Sequence, residues 1–251
     1  TSMEMSYLET EATAELAPTP VFYAFEQTPI TVASDNIYNS FGQPITDVRR
    51  RLVELPDRRQ RNESDVARFS AVMEGQAADW YWDLNYNWSR SEASQRTFNL
   101  VNADNLRRGV GPAAGCLGLA QDGCVPVNLL GIAGTLMPDQ VDFIRASGGV
   151  SGYSKLSGLG GHLSGRPFEL RHGGMDTAFG AEIRSESTSK RPDALLAATG
   201  TIGGTNFQAT SGNRDVVELY AETNFPLWKN SAGTRALDME IALRHSDYSD
   251  F

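Results

Sequence analysis

Arginines that could bind an anionic group are concentrated in one short segment. Six lie within thirteen positions: Arg49, Arg50, Arg51, Arg58, Arg59 and Arg61. The planar guanidinium group suits carboxylates and phosphates, and these arginines stand out in a chain whose formal net charge is -9. We expect either a patch that contacts an anionic substrate or phosphate groups, or a solvated basic loop that pairs with Asp47, Glu54 and Asp57.

The two cysteines, Cys116 and Cys124, lie in the segment GCLGLAQDGC. Seven residues separate them, and the glycines around them give a short loop the flexibility that closure needs. The segment contains neither a histidine nor a C-x-x-C spacing that would suggest a metal site or a redox motif. It therefore predicts a disulfide, which implies an oxidising compartment. Two unrelated thiols in a reduced protein are the alternative.

Other residues with potentially reactive side chains do not form a recognisable catalytic group. The histidines, His162, His172 and His245, have no nucleophile motif beside them. Glu218 and Glu222 could imitate the carboxylate pair of a glycosidase, but on an alternating strand they are more simply part of a hydrated wall. We predict a protein that is not an enzyme and uses no metal or cofactor.

Composition disfavours two classes of partner or architecture. The chain is acidic, with a pI near 4.9, whereas binding of a nucleic acid relies on Lys and Arg that neutralise phosphates. A membrane helix needs about 18 consecutive apolar residues. The nearest stretch, residues 125–137, is interrupted by proline, asparagine, glycine and threonine. We therefore expect neither a nucleic-acid-binding protein nor a helical membrane protein.

The elements that must position these residues are strands with two unlike faces. In residues 80–88, WYWDLNYNW, tryptophan, leucine and tyrosine fall on one face, and aspartate and asparagine fall on the other. A helix could not separate these sets. The same alternation predicts strands at residues 65–74, 156–170, 175–187, 217–222 and 237–244. A seventh strand is expected within residues 19–26, and residues 1–21 are otherwise assigned to a loop or a strand edge.

Connection lengths indicate how the strands are arranged. Short links at residues 75–78, 171–174 and 229–233 would join the strands into three hairpins, and long links at residues 93–152 and 189–213 would separate the hairpins. Membrane barrels alternate short periplasmic turns with long extracellular loops, and Trp80, Trp82 and Trp228 lie where an interfacial aromatic girdle is expected. We predict an all-β, antiparallel transmembrane β-barrel. The alternative is a soluble, secreted β-sandwich that binds or hydrolyses glycans.

Six segments, in order, resemble the TonB-dependent outer-membrane receptors. They are SDNIYNSFGQPITDVRRRLVELPDRR, DWYWDLNYNWS, GCVPVNLLG, FGAEIRSE, VVELYAETNFPL and ALRHSDYSDF, within residues 22–251. The first departs from the family form at Ile37 and Ser40, where prolines are usual, and near Leu55, where a glycine is usual. The third has a leucine where phenylalanine is common. The resemblance implies an importer of a siderophore, cobalamin or glycan-type substrate in the outer membrane of a Gram-negative bacterium.

The resemblance also implies which part of the transporter this chain forms and what its partners are. The family barrel has about 22 strands, so residues 1–251 are expected to be a partial barrel domain of six or seven strands without a plug. Its partners would be outer-membrane lipid, lipopolysaccharide, a small-molecule or oligosaccharide substrate, and TonB through a plug outside this chain. Residues expected to face the lumen are Asp83, Asn85, Glu182, Arg184, Glu218, Glu222, Asp238 and Glu240.

Overall fold

The computed structural model of the protein describes residues 1–22, 30–117, 123–198, 200–230 and 235–250. Seven strands are long: β1 (Ser2–Leu16), β4 (Arg58–Ala77), β5 (Trp80–Asn102), β6 (Arg145–Leu170), β7 (Gly173–Pro192), β9 (Thr210–Lys229) and β10 (Arg235–Tyr248). Three are short: β2 (Pro20–Phe22), β3 (Arg49–Arg51) and β8 (Thr201–Ile202). The helices are α1 (Ala103–Val110), α2 (Ala113–Leu117), α3 (Pro138–Ile144) and α4 (Ala194–Ala197). None of the helices in the described ranges is long and apolar enough to cross a membrane.

The long strands form one antiparallel sheet in the order β1-β4-β5-β6-β7-β9-β10. The short β8 pairs with the end of β5, and β2 pairs with β3 in a separate two-stranded sheet. The prediction of an all-β, antiparallel fold is therefore confirmed. All six strands predicted from alternation are present, each within a longer strand.

Two predicted connections were too long. The link predicted at residues 93–152 is confined to residues 103–144, and the link predicted at residues 189–213 is confined to residues 193–209. Residues 89–102 pair with β4 and β6 along most of their length, but their sequence, SRSEASQRTFNLVN, carries polar residues on both faces. Hydrophobic alternation is the signal that reveals strands in a sequence. It gives no sign of a strand that is hydrated on both sides.

The seventh long strand also differs from the prediction. It is β1, which pairs with β4 from Ser2 opposite Val72 to Leu16 opposite Arg58. Of the predicted residues 19–26, residues 20–22 form β2 outside the main sheet, and residues 23–26 lie outside the described ranges. The strand at residues 2–16 escaped prediction because the face that begins with Met3, Met5 and Tyr7 continues with glutamates, so that its apolar alternation is short.

All long connections leave the sheet at one end. Leu16 is opposite Arg58, so residues 17–57 begin and end there, as do residues 103–144 and 193–209. The turns at residues 78–79 and 171–172 lie at the opposite end, where the β9–β10 hairpin also closes. The sheet therefore has a turn end and a loop end.

The three long connections pack into a compact unit, which we call the loop cap. Among the described residues, the hydrophobic core cluster lies in this cap and at the adjoining end of β5. A main-chain hydrogen bond from Ala33 N to Val110 O (2.9 Å) joins the first connection to the second, and one from Val127 N to Gly109 O (2.9 Å) links two parts of the second. Fully buried members include Val21, Val32, Leu52, Leu55, Val101, Leu106, Val110, Val127, Leu129 and Ile144.

A buried ion pair joins two of the connections in the cap. Arg50 donates to Glu54 (2.5 Å) and to the carbonyl oxygens of Asn128 and Gly131, both at 2.8 Å. The same Glu54 oxygen accepts the backbone N–H groups of Gly134 (2.8 Å) and Leu136 (3.2 Å). The Arg50 and Glu54 side chains are only 7% and 8% exposed. Residues 50–54 are thereby fixed to residues 128–136.

Replacing Arg50 by Met should loosen the cap, because it leaves the Glu54 carboxylate buried without its cation. We expect residues 128–136 to lose about 3 kcal/mol of protection against hydrogen exchange, measured by mass spectrometry. The control is Arg49→Met, since Arg49 pairs with Asp47 in an exposed position and its loss should leave exchange unchanged. Equal protection in the two variants would contradict the role of Arg50.

The cap should also respond to acid. Burial raises the pKa of Glu54, but hydrogen bonds from its own backbone, from Leu136 and from Arg50 outweigh burial and place that pKa below its ordinary value. A lowered native pKa adds stability above the unfolded pKa of about 4.3, and this stability is lost as pH falls through the native value. Exchange at Gly134 and Leu136, corrected for its intrinsic pH dependence, should be constant above about pH 5 and accelerate only below about pH 4. Acceleration that begins near neutral pH would contradict this.

Candidate functional site

The eight residues expected to face a lumen share one face of the sheet. Residues directly opposite one another on antiparallel strands point to the same side, as do residues two apart on one strand. Asn85 is opposite Gly160, Gly160 is opposite Glu182, and Glu182 is opposite Glu218. The same registers place Asp83, Arg184, Glu222, Asp238 and Glu240 on that side. We call it the polar face; that it lines a lumen stays a prediction.

Arginines pair with several carboxylates of the polar face. Arg184 binds Glu182 (2.9 Å) and Glu186 (2.7 Å) along its own strand, and Arg214 reaches Glu186 from β9 (2.8 Å). Glu218 is buried and accepts hydrogen bonds from Arg244 and from Ser246 of β10. These cross-strand partners were missed because a single sequence does not give strand register. The face is hydrophilic, with charges paired locally across β7, β9 and β10.

An aromatic and acidic cluster surrounds His162 on the same face. His162 Nδ1 lies 3.2 Å from Asp83 Oδ1, and its ring stacks on Tyr220 with centroids 6.3 Å apart. Gly180 lies between their strands, and a Cβ there would overlap the Tyr220 ring. Among the residues the structure describes, no group of His, Cys, Asp and Glu side chains could hold a metal ion. The cluster packs an aromatic ring against the sheet.

The opposite face carries an apolar band next to the turn end. The band spans nine residues on three of the inner strands: 80–88 of β5, 175–183 of β7 and 217–225 of β9. Its side chains lie open to the surroundings, for example Leu84 (50% exposed), Ile183 (54%) and Leu219 (54%). Beyond the band the same face becomes polar and charged, beginning with Arg90 and Lys155. We call this side the outer face.

Tryptophans occupy the turn end of the band. Trp80 and Trp82 lie on the outer face directly after the β4–β5 turn, and the indole of Trp82 packs over Gly75, where a Cβ would lie 2.7 Å from the ring. Trp228 is 57% exposed beside the β9–β10 hairpin. Their placement is that expected of an interfacial girdle, although a girdle function stays a prediction.

The six clustered arginines each have a partner within the chain. Arg50 is buried in the cap, so it is not available to a ligand unless the cap opens. Arg49 pairs with Asp47, and Arg51 donates to the carbonyl oxygen of Pro18. Arg58 donates to the carbonyl oxygens of Ala17 and Gly203. Arg59 lies over the ring of Phe98, and Arg61 pairs with Glu11 and Glu63. These contacts favour the structural alternative over a ligand patch. Anion binding by the five exposed or half-exposed members stays a prediction.

The two cysteines lie at disulfide distance. Their Cα atoms are 5.4 Å apart and their sulfur atoms are bonded, with Cys116 in α2 and Cys124 after the intervening loop. The bond closes part of the long connection between β5 and β6. Residues 118–122 of this loop lie outside the described ranges.

Comparison with known proteins assigns no family or function to the chain. No protein-family profile matches the chain, and a search of curated proteins finds no match. The likeness to TonB-dependent receptors therefore stays a prediction from six short segments. Any functional argument must rest on the two faces of the sheet and on its loop cap.

Adding a methyl group at Gly180 should disrupt the His162 cluster. Gly180→Ala forces the Tyr220 ring away from the sheet, and such overpacking costs about 1–3 kcal/mol. Gly158→Ala is the matched control on the same face, because its Cβ would meet only ordinary contacts, the nearest at 3.7 Å. Denaturant unfolding should show a lower free energy of unfolding for Gly180→Ala. The same substitution should cost much less in a protein that already carries Tyr220→Ala. An unsuppressed loss would exclude the proposed overlap.

Proposed function

We propose that this chain is part of the wall of an outer-membrane β-barrel importer of the TonB-dependent kind. The observation that carries the proposal is the apolar band on the outer face, which covers nine residues of β5, β7 and β9 and faces away from the polar face. The six segments similar to TonB-dependent receptors support the choice of importer.

The height of the band suits a bilayer. Nine residues of a strand rise roughly 30 Å, and a tilt of about 40° reduces this to roughly 23 Å along the membrane normal. The lipid-facing band of outer-membrane barrels is about 25 Å tall. In β5, which has 23 residues, the remainder would then project beyond the lipid towards the loop cap.

A soluble β-sandwich is the weaker candidate. In a sandwich, the apolar face of one sheet is covered by a second sheet about 10 Å away. In the described ranges the only other sheet is the small β2–β3 pair, and exposed residues of the band include Ile183 and Leu219, both at 54%. Such a large apolar surface is costly in water. Lipid chains would cover it without a second sheet.

The two edges of the sheet support a larger barrel. Within the sheet, β1 and β10 each pair on one side only, and unpaired main-chain groups are not tolerated in the hydrocarbon region. Seven long strands are fewer than the eight of the smallest bacterial barrels. Further strands would therefore complete the wall, with the loop cap outside the cell and the polar face lining the path of a siderophore, cobalamin or glycan-type substrate. A plug and TonB would supply the energised step.

A charge placed in the band should show whether lipid or water covers the band. Leu84→Arg should destabilise the membrane-inserted protein by about 2–4 kcal/mol, because position 84 is at the centre of the band. Asn87→Arg, on the polar face of the same strand, should have little effect. The measurement is the unfolding free energy in phospholipid vesicles. A Leu84→Arg variant as stable as Asn87→Arg would mean that water covers the band.

The direct test uses the tryptophans of β5. Trp80, Trp82 and Trp88 lie on the outer face, so lipids brominated on their acyl chains should quench their fluorescence in vesicles that contain the full-length importer. Lipids brominated deep in the bilayer should quench less than those brominated near the head groups, because the three side chains lie at the ends of the band. Unquenched fluorescence together with a soluble, monomeric product would refute the proposal.

A further inference from the structure

A polar hollow lies on the outer face beyond the apolar band, on the side of the loop cap. Its volume of about 340 Å³ is within the range of pockets for small ligands. Two rows of side chains line it across β4, β5, β6 and β7. The row nearer the band is Asp65, Glu92, Tyr153 and Ser189, and the next row is Glu63, Ser94, Ser151 and Arg191.

One hydroxyl group of the hollow is unused. Ser189 is only 4% exposed, and its Oγ has no hydrogen-bond partner in the part of the chain that the structure describes. Because Ser189 is directly opposite Tyr153, its side chain lies on the face that contains the hollow. A buried hydroxyl without a partner is unfavourable. A polar ligand in the hollow would supply the missing hydrogen bond.

Opposite charges without an ion-pair partner lie at the two ends of the hollow. Asp65, at the β4 end, accepts a hydrogen bond from the Tyr7 hydroxyl (3.0 Å) but makes no ion pair within the described ranges. Glu9, directly opposite on β1, adds a second negative charge to that end. Arg191, at the β7 end, is exposed and makes no ion pair within those ranges either. Three strand spacings separate β4 from β7, which places the two backbones roughly 14 Å apart.

The other charged groups around the hollow have partners inside the chain. Arg90 pairs with Glu92, and Arg61 pairs with Glu63. The Lys155 ammonium lies 4.8 Å from the centre of the tyrosine ring of the hollow. The hollow therefore has one negative end and one positive end available to a ligand, with serine hydroxyls between them.

This charge distribution limits what the hollow can bind. A free anion would be repelled by the carboxylates, and a free cation would be repelled by Arg191. A neutral sugar would leave both Asp65 and Arg191 without a charged partner. A ligand that carries a positive and a negative group roughly 10 Å apart would pair with both, because the two side chains extend towards each other. An extended peptide of three residues has this length.

We infer that the hollow binds a short zwitterionic peptide. Its N-terminal ammonium group pairs with Asp65, its C-terminal carboxylate pairs with Arg191, and its main chain forms a hydrogen bond with the Ser189 hydroxyl. The site is on the opposite side of the sheet from the polar face, so it is separate from the path proposed for an imported substrate. It also lies beyond the apolar band and does not require that lipid covers the band.

The test uses trialanine and two blocked forms of it, with the full-length protein in phospholipid nanodiscs. N-acetyl-trialanine lacks the ammonium group, and trialanine amide lacks the carboxylate. Saturation-transfer NMR titrations give a dissociation constant for each peptide. The unmodified protein should bind trialanine about fivefold more tightly than either blocked form, as expected for the loss of one partly exposed ion pair.

Each charged residue should control discrimination at one end of the peptide only. Asp65→Asn should abolish the preference for trialanine over its acetylated form and keep the preference over its amide, and Arg191→Gln should do the reverse. The matched control is Glu74→Gln on the polar face of β4, because Glu74 accepts a hydrogen bond from the Tyr81 hydroxyl as Asp65 does from Tyr7. This control should change neither preference.

Ser189→Ala separates binding from stability. It should weaken the binding of trialanine without lowering the free energy of unfolding, because the hydroxyl has no partner in the unbound protein. Unchanged binding together with a lower free energy of unfolding would contradict the role of Ser189 in the site.

Three results would overturn the inference as a whole. They are equal affinity of the unmodified protein for trialanine and both blocked forms, an equal loss of trialanine binding in Glu74→Gln and Asp65→Asn, and tighter binding of diglucosamine or inorganic phosphate than of trialanine. Quenching by brominated lipid in the same nanodiscs reports separately on the apolar band. Failure of the peptide site is thereby distinguished from failure of the proposed function.

Discussion

Strand geometry determines which side chains of this protein share a surface. Successive residues of a strand point to opposite sides, and directly paired residues on antiparallel neighbours point to the same side. A strict register across seven long strands therefore converts short alternating segments into two continuous faces. A slip of one residue in any strand would bring its apolar residues to the polar face. Both the apolar band and the paired charges of Arg184, Glu186 and Arg214 depend on this register.

The loop cap explains how the sheet can lack a conventional core. Buried side chains such as Leu52, Leu106 and Val127 lie in the connections at the loop end, so the cap has a hydrophobic interior of its own. The Arg50–Glu54 pair fixes two of these connections together. The two faces of the sheet are left for interactions with their surroundings: the outer face with lipid, under the proposed function, and the polar face with water and substrate.

The sequence was informative where the two faces differ and uninformative where they do not. Residues 80–88 alternate so strictly that both the strand and its apolar face could be predicted, and the eight residues assigned to the polar face do share it. Residues 89–102 are polar on both sides, and the apolar face of β1 gives way to glutamates after Tyr7, so the pairing of these segments could not be seen. Arg50 has arginine neighbours on both sides, and only packing of the cap distinguishes its buried role from theirs.

The central claim is that the outer face meets lipid along nine residues and water beyond them. Spin labels placed singly at positions 175–191 of β7 in the membrane-inserted protein measure this directly, through collision with oxygen and with a water-soluble nickel complex. We predict that oxygen accessibility dominates at odd positions from 175 to 183, that the nickel complex dominates at even positions, and that this alternation ends from position 185 onward. Nickel accessibility at positions 179, 181 and 183 equal to that at their even neighbours would contradict the account.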